Sequence, residues 1–335
     1  MLMKYLCLAI LPWIGIQDSV QFRVSAEAVR VDVWVERDGK GIAGLTEDDF
    51  ALFDDEVRQE IALVDAESEP LNVVLVVDTS ASMVGNKMME LRAAGHAFVS
   101  ALADEDRASI VTFSHHVHQP LELTSDKEAL HNALDFIEAR GATAWRDALF
   151  AAIKVLEPTR GRSLVLLFTD GRDTYSFIAQ DQMKALVEQS SSVVYVVHGS
   201  RERILPTGAS SFKPAREESR YDGERGVSSA GRNTILRVDA EPRRSELGRR
   251  RRERASLTKQ LREVTDVSGG RLIDASAAGL QEAFVRVLSE MRSRYLLVYR
   301  PSGVNREGWH TIELELQNLK ADVVFRRGYF YEPPR

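Results

Sequence analysis

One short stretch carries the clearest chemistry in this chain: Val76-Val77-Asp78-Thr79-Ser80-Ala81-Ser82-Met83. A carboxylate is followed by two hydroxyls at alternate positions, and all three can turn toward one point. Oxygen-only ligation of that kind suits a hard cation such as Mg²⁺, with Mn²⁺ or Ca²⁺ as substitutes. Hydroxyl ligands do not suit catalytic zinc, which favours His, Cys and carboxylate. The preceding residues, 73–77, are all apolar, as expected of a strand buried on both faces. The loop would then leave the C-terminal edge of a strand, where open parallel sheets bind their ligands.

Four other chemistries compete with this one. Asp78 could be the nucleophile of a phosphatase of the haloacid-dehalogenase type. That enzyme needs a second Asp two residues on as its general acid, and Ser80 stands there instead, so this hydrolase is the weakest alternative. The chain has neither the Gly-x-Ser-x-Gly elbow of a serine hydrolase nor the Gly-x-x-x-x-Gly-Lys of a phosphate-cradling loop. His115, His116 and His118 could offer imidazoles to a transition metal. Neighbours on a strand or tight turn point different ways, however, so a solvated hairpin tip is expected. No catalytic residue is expected.

The elements that must hold the site follow from hydrophobic spacing. Between 88 and 102, Met88, Leu91, Phe98, Val99 and Leu102 recur at helical intervals. Residues 108–113 read as a strand. Ser125-Asp-Lys-Glu128 reads as a capping box opening a helix with Leu130, Ala133, Leu134 and Ile137 on one face. Residues 145–156 are helical by composition, and 163–168 and 193–197 are apolar strands. A helix over 257–265 and a short strand over 271–273 follow. Leu280, Phe284, Val287, Leu288 and Met291 form a further apolar helix stripe. Strands alternating with helices imply a doubly wound, mostly parallel α/β sheet covered on both faces.

Placed on these elements, the loop at Asp78 resembles the metal-ion-dependent adhesion site of von Willebrand factor A-type (VWA) domains. That signature is Asp-x-Ser-x-Ser with a distant Thr and a distant Asp. The Thr is matched in Gly141-Ala-Thr143, just before a helix, and the Asp in Phe168-Thr169-Asp170-Gly171, at a strand end. The usual Gly-Gly-Thr is Gly-Ala-Thr here. The resemblance covers roughly residues 71–292. It implies a Rossmann-like fold with one metal held by Asp78, Ser80, Ser82, Thr143 and Asp170. It also implies an open coordination position for an Asp or Glu carboxylate of a protein partner. The function implied is binding or adhesion rather than catalysis; the alternative is a metal-independent scaffold in a cell-envelope assembly. Asp173 would tune the metal loop, and Asp147 would cap or pair at its helix start. The flanks Gly44-Leu-Thr-Glu-Asp-Asp-Phe50, Arg294-Tyr-Leu-Leu-Val-Tyr-Arg-Pro301 and Arg327-Gly-Tyr329 resemble bacterial exported VWFA-related proteins.

Outside that region the pattern is β. Val29, Val31, Val33 and Val35 alternate with polar or interfacial residues, and residues 50–53 and 58–64 suggest two more strands. Thr46-Glu-Asp-Asp49 reads as a short capped helical turn. Residues 295–299, 312–316 and 323–325 are further strands. Neither end has enough strands for a stable sheet of its own. An accessory β-sandwich built from residues 20–68 and 294–331, with the α/β unit between them, is therefore expected.

Composition bounds the rest. A chain of 335 residues, 44% hydrophobic and 28% charged, has room for about two folded domains. The formal net charge of -6 gives no reason to expect nucleic acid. Residues 1–17 carry one lysine and then a short apolar run, the shape of a secretory signal; the run is too short to favour a bilayer span. Export to the periplasm, the cell surface or the medium is expected. Cys7, the only cysteine, excludes an intramolecular disulfide. Residues 200–255 are rich in Arg, Ser, Gly and Glu and read as a mobile insertion. Its run at 249–252 is read as a solvated face, with docking to an acidic polymer or membrane surface as the lesser alternative.

Overall fold

The computed structural model describes residues 28–64, 69–199, 241–275, 279–304 and 307–331. Residues 1–17 and most of the expected insertion lie outside them. The chain opens with β1 (Val29–Arg37), β2 (Lys40–Gly41), β3 (Phe50–Asp54), β4 (Val57–Gln59) and β5 (Ile61–Val64). The α/β part follows: β6 (Leu71–Asp78), α1 (Asn86–Ala101), β7 (Arg107–Phe113), β8 (Val117–Thr124), α2 (Lys127–Asp135), α3 (Trp145–Leu156), β9 (Arg162–Thr169), α4 (Gln180–Gln189) and β10 (Val193–His198). It continues with α5 (Glu241–Ser268), β11 (Leu272–Asp274) and α6 (Leu280–Arg292), and β12 (Tyr295–Tyr299), β13 (Gly308–Leu316), β14 (Asp322–Val324) and β15 (Gly328–Tyr331) close the chain.

The largest sheet has the order β11-β10-β9-β6-β7-β8. Every neighbouring pair is parallel except the antiparallel hairpin β7–β8. Its central strand, β6, is buried along its whole length. Successive side chains alternate between two cores. Val73, Leu75 and Val77 meet α1, α2 and α6 on one face. Val74 and Val76 meet α3, α4 and α5 on the other. Burying each such Val or Leu contributes roughly 1.5–3 kcal/mol, which is why an uninterrupted apolar run marks the centre of this sheet. From β6 the chain builds outward through β7 and β8, then returns to β9 on the other side. The crevice at the carboxyl ends of β6 and β9 is thus the topological switch point of a doubly wound sheet.

Two smaller antiparallel sheets draw on both ends of the chain. One has the order β14-β1-β12-β5, with β2 on β1; the other is β15-β13-β3-β4. They share one apolar cluster in which Val31, Val33, Val35 and Leu297 meet Phe50, Leu52, Ile312 and Tyr329. Buried charge ties this cluster's strands to the α/β part. Arg162, at the start of β9, donates to Asp32 Oδ1 at 2.7 Å and to the Met291 carbonyl at 2.5 Å. Arg271 donates to Glu36 at 2.6 Å. Tyr195 donates to Glu290 at 2.5 Å and accepts from Arg294 at 2.7 Å. Arg162 lies at the opposite end of β9 from the crevice, so one end of the sheet is fixed and the other is left for ligands.

Several expectations are corrected. The helix cap is Asp126, whose side chain accepts from Ala129 N at 3.0 Å, one residue later than the box at Ser125. That helix ends at Asp135, before Ile137. Residues 241–255, expected within the mobile insertion, form the first half of α5. Arg, Glu and Ala are strong helix formers, and Arg249 pairs with Glu253 one turn on. The capped turn expected after Thr46 is present as a 3-10 turn, Glu47–Asp49, in which Asp49 Oδ2 accepts from Thr46 N at 2.8 Å.

Candidate metal centre

Asp78 is the last residue of β6, and Asp170 directly follows β9. Parallel pairing of these strands brings the two carboxylates to the same edge. Asp78 is fully buried: Oδ1 accepts from its own loop at Ser80 N (2.8 Å), and Oδ2 accepts from the Thr169 hydroxyl (2.8 Å). Ser80 Oγ lies 2.9 Å from Ser82 Oγ, and Ser82 Oγ donates to Asp170 Oδ1 at 2.7 Å. Four of the five expected ligands therefore form one group linked by hydrogen bonds. Thr143 stands beside it; its Oγ1 is 3.4 Å from where a side chain on Gly171 would begin.

The loops are tied to one another by backbone bonds. Thr79 donates to Phe113 O through both N (2.7 Å) and Oγ1 (2.8 Å). Arg140 N reaches Thr79 O at 2.6 Å, and Ala81 N reaches Gly141 O at 2.9 Å. Gly141 has φ +81, and a Cβ there would lie 2.1 Å from His115 Nδ1, so only glycine fits the segment that delivers Thr143. The Thr143 carbonyl accepts from Thr174 N and Tyr175 N, at 2.8 and 3.1 Å. Asp173 accepts from Arg146 N (3.0 Å) and Ser176 Oγ (2.6 Å), capping the start of α3. Asp147 accepts from Phe177 N and Ile178 N, both at 3.0 Å. Both aspartates brace the 171–178 loop, and Asp147 acts across to that loop rather than within its own helix start.

Burial pushes the Asp78 carboxyl up to about 6; hydrogen bonds from Ser80 and Thr169 oppose this, and the Asp170 charge adds to it. Two carboxylates thus share a buried crevice with three hydroxyls. A divalent cation there would relieve both desolvation and mutual repulsion, and the donor set is all oxygen, so the residues fit a hard cation. The rim is exposed at Val84, Tyr175 and Phe177.

His115 and His116 lie in the β7–β8 turn, where a hairpin tip was expected, and His118 is the second residue of β8. Their rings pack on one another and on Tyr175, with His115 and His116 centroids 4.2 Å apart. Among the described residues, three His or carboxylate ligand atoms also come together at Asp54, Asp55 and His310 in the smaller sheets. Sequence reasoning missed this group. Asp54 is committed to internal partners: His310 Nδ1 lies 2.8 Å from Oδ1, and Tyr299 and Tyr329 donate to Oδ2 at 3.1 and 2.7 Å. Also missed were Thr169 as a hydroxyl donor to Asp78, His198 and Lys87. Burial holds the His198 imidazole below its ordinary range, with Nδ1 3.0 Å from Thr169 O. Lys87 pairs with Asp170 Oδ2; a lysine in the first turn of a helix, against the dipole, was the available signal.

A doubly wound sheet with an Asp-x-Ser-x-Ser loop at its switch point defines a class, and comparison with known proteins agrees. Residues 73–172 match the family model of the von Willebrand factor type A domain, and the chain contains such a domain. Inter-alpha-trypsin inhibitor heavy chain H4 of Sus scrofa is 31% identical over 116 residues, covering 31% of this chain and 13% of that protein. An uncharacterized protein of Synechocystis is 30% identical over 112 residues, covering 32% of this chain and 26% of that one. The matches therefore span a small part of each relative. Among solved structures, a von Willebrand factor type A protein from Catenulispora acidiphila shares 14% identity over 83% of this chain and 71% of its own, with a TM-score of 0.47. The corresponding domain of a type V pili tip protein from Porphyromonas gingivalis shares 23% identity over 32% and 39%, with a TM-score of 0.31.

Proposed function

We propose that this protein is a metal-dependent protein-binding module. Asp78, Ser80, Ser82, Thr143 and Asp170 hold one divalent cation, Mg²⁺ in the first instance. The observation that carries this reading is the hydrogen-bonded chain from Ser80 through Ser82 to Asp170, closing on a fully buried Asp78 at the switch point. Two carboxylates would balance the charge of a divalent ion, and a cation that prefers six oxygen ligands would have room for one more beyond these five residues. An Asp or Glu carboxylate of a protein partner completes the shell. VWA domains typically mediate protein–protein adhesion, and the reading extends that role to this chain. The protein acts outside the cytoplasm, in keeping with the apolar segment at its start.

Water-proton relaxation with Mn²⁺ as the probe tests this directly. Bound Mn²⁺ should enhance relaxation through its exchangeable water, acetate or a glutamate-containing peptide should lower the enhancement, and Ser82→Ala should bind little Mn²⁺. Equal Mn²⁺ binding by wild type and Ser82→Ala would overturn the assignment, as would bound Mn²⁺ with no exchangeable position.

A further inference from the structure

Lys87 is the second residue of α1, and no acidic residue stands in that turn. A cation there faces the positive end of the helix dipole, an unfavourable place for it. Its ammonium is held by Asp170 Oδ2, while the Ser82 hydroxyl takes Oδ1 of the same carboxylate. The Asp170 side chain is 2% exposed and that of Lys87 is 38% exposed, so the ammonium reaches into the crevice from the solvent rim. A positive charge contributed by the chain itself thus sits on one of the two carboxylates assigned to the metal.

We propose that Lys87 is a tethered cation that competes with the divalent ion for Asp170, so that metal uptake displaces its ammonium to the rim. The inference rests on the metal reading above and deepens it. Asp78, Asp170 and Lys87 together leave the crevice with one net negative charge. Entry of a divalent ion reverses this to one net positive charge, with the lysine kept close by its short tether. Filling the site therefore turns an anionic crevice into a cationic one, suited to an acidic partner group. Lys87 is accordingly a residue that sets metal affinity, and it is not itself a ligand.

The test compares wild type and Lys87→Gln as full chains stripped with chelator. Calorimetric titration with Mn²⁺ should give about tenfold tighter binding for K87Q, the scale of releasing a partly exposed charge-assisted hydrogen bond. The chelated K87Q protein should also unfold at a lower temperature. A second readout follows the displacement itself. Acetylation of the Lys87 amine, measured by mass spectrometry, should speed up when Mn²⁺ saturates wild type, and should not change with Mn²⁺ in Asp78→Asn. Equal or weaker Mn²⁺ affinity in K87Q would overturn the proposal while leaving the metal site standing. So would unchanged Lys87 reactivity in wild type that demonstrably binds Mn²⁺. Failure of both wild type and K87Q to bind Mn²⁺ would overturn the metal reading, and this inference with it.

Discussion

Replacing Asp78 by Asn should stabilise the chelated protein at neutral pH while abolishing its response to metal. Asp78 titrates near its ordinary 3.8 in the unfolded chain and at about 6 in the fold. A folded-state value above the unfolded one means that the fold binds the proton more tightly. The associated stability is fully present below pH 3.8 and is lost as the pH rises through about 6. The gap corresponds to about 3 kcal/mol of cost carried by the ionised carboxylate at pH 7.5. Asparagine removes the charge and keeps the local bonds: its carbonyl can accept from Ser80 N, and its amide can donate to Thr169 Oγ1. Urea unfolding in chelator at pH 7.5 should therefore show Asp78→Asn more stable by up to about 3 kcal/mol, a gap that closes near pH 4. Other groups titrate over that range but cancel in the difference between the two proteins. Saturating the wild type at a hundred times the dissociation constant should restore about 2.7 kcal/mol, and the variant should gain nothing. An Asp78→Asn protein less stable than wild type in chelator at pH 7.5 would refute this reasoning, as would a gap that does not change with pH.

Two further predictions concern the frame that carries the site. Asp32→Asn removes a charge partner of the buried Arg162 and should cost about 2–4 kcal/mol in urea unfolding. Its metal affinity should stay unchanged, because this pair lies at the far end of the sheet. Gly270→Ala would place a Cβ 1.9 Å from the Val194 carbonyl oxygen. It should lose at least about 3 kcal/mol, visible as a lower thermal midpoint or loss of soluble protein.

Legibility in the sequence followed burial. Strands β6, β9 and β10 are buried along their whole length, so their apolar runs were plain. Strand β8 went unnoticed because it is an edge strand with exposed Gln119 and Pro120 and shows no clean alternation. Helix α4 buries only Met183 and Val187, too few positions for a visible stripe. The first half of α5 was read as mobile because charge dominates it; helix propensity and ion pairs supply what apolar periodicity lacks. In the site, Asp78, Ser80 and Ser82 stood out because they are close in sequence. Thr143 and Asp170 came from family resemblance, since nothing local announces that β6 and β9 are neighbours. Lys87 lay only five residues from Ser82, yet its role depends on reaching Asp170 across that same strand pairing.

The central claim, a single divalent cation held by these five residues, is tested most directly by calorimetric titration of Mg²⁺ into the chelator-stripped full chain, beside Asp78→Asn and Ser82→Ala. One Mg²⁺ per chain in wild type, with binding lost in both variants, is the expected result. No measurable binding in wild type would contradict the claim, as would binding that survives both substitutions.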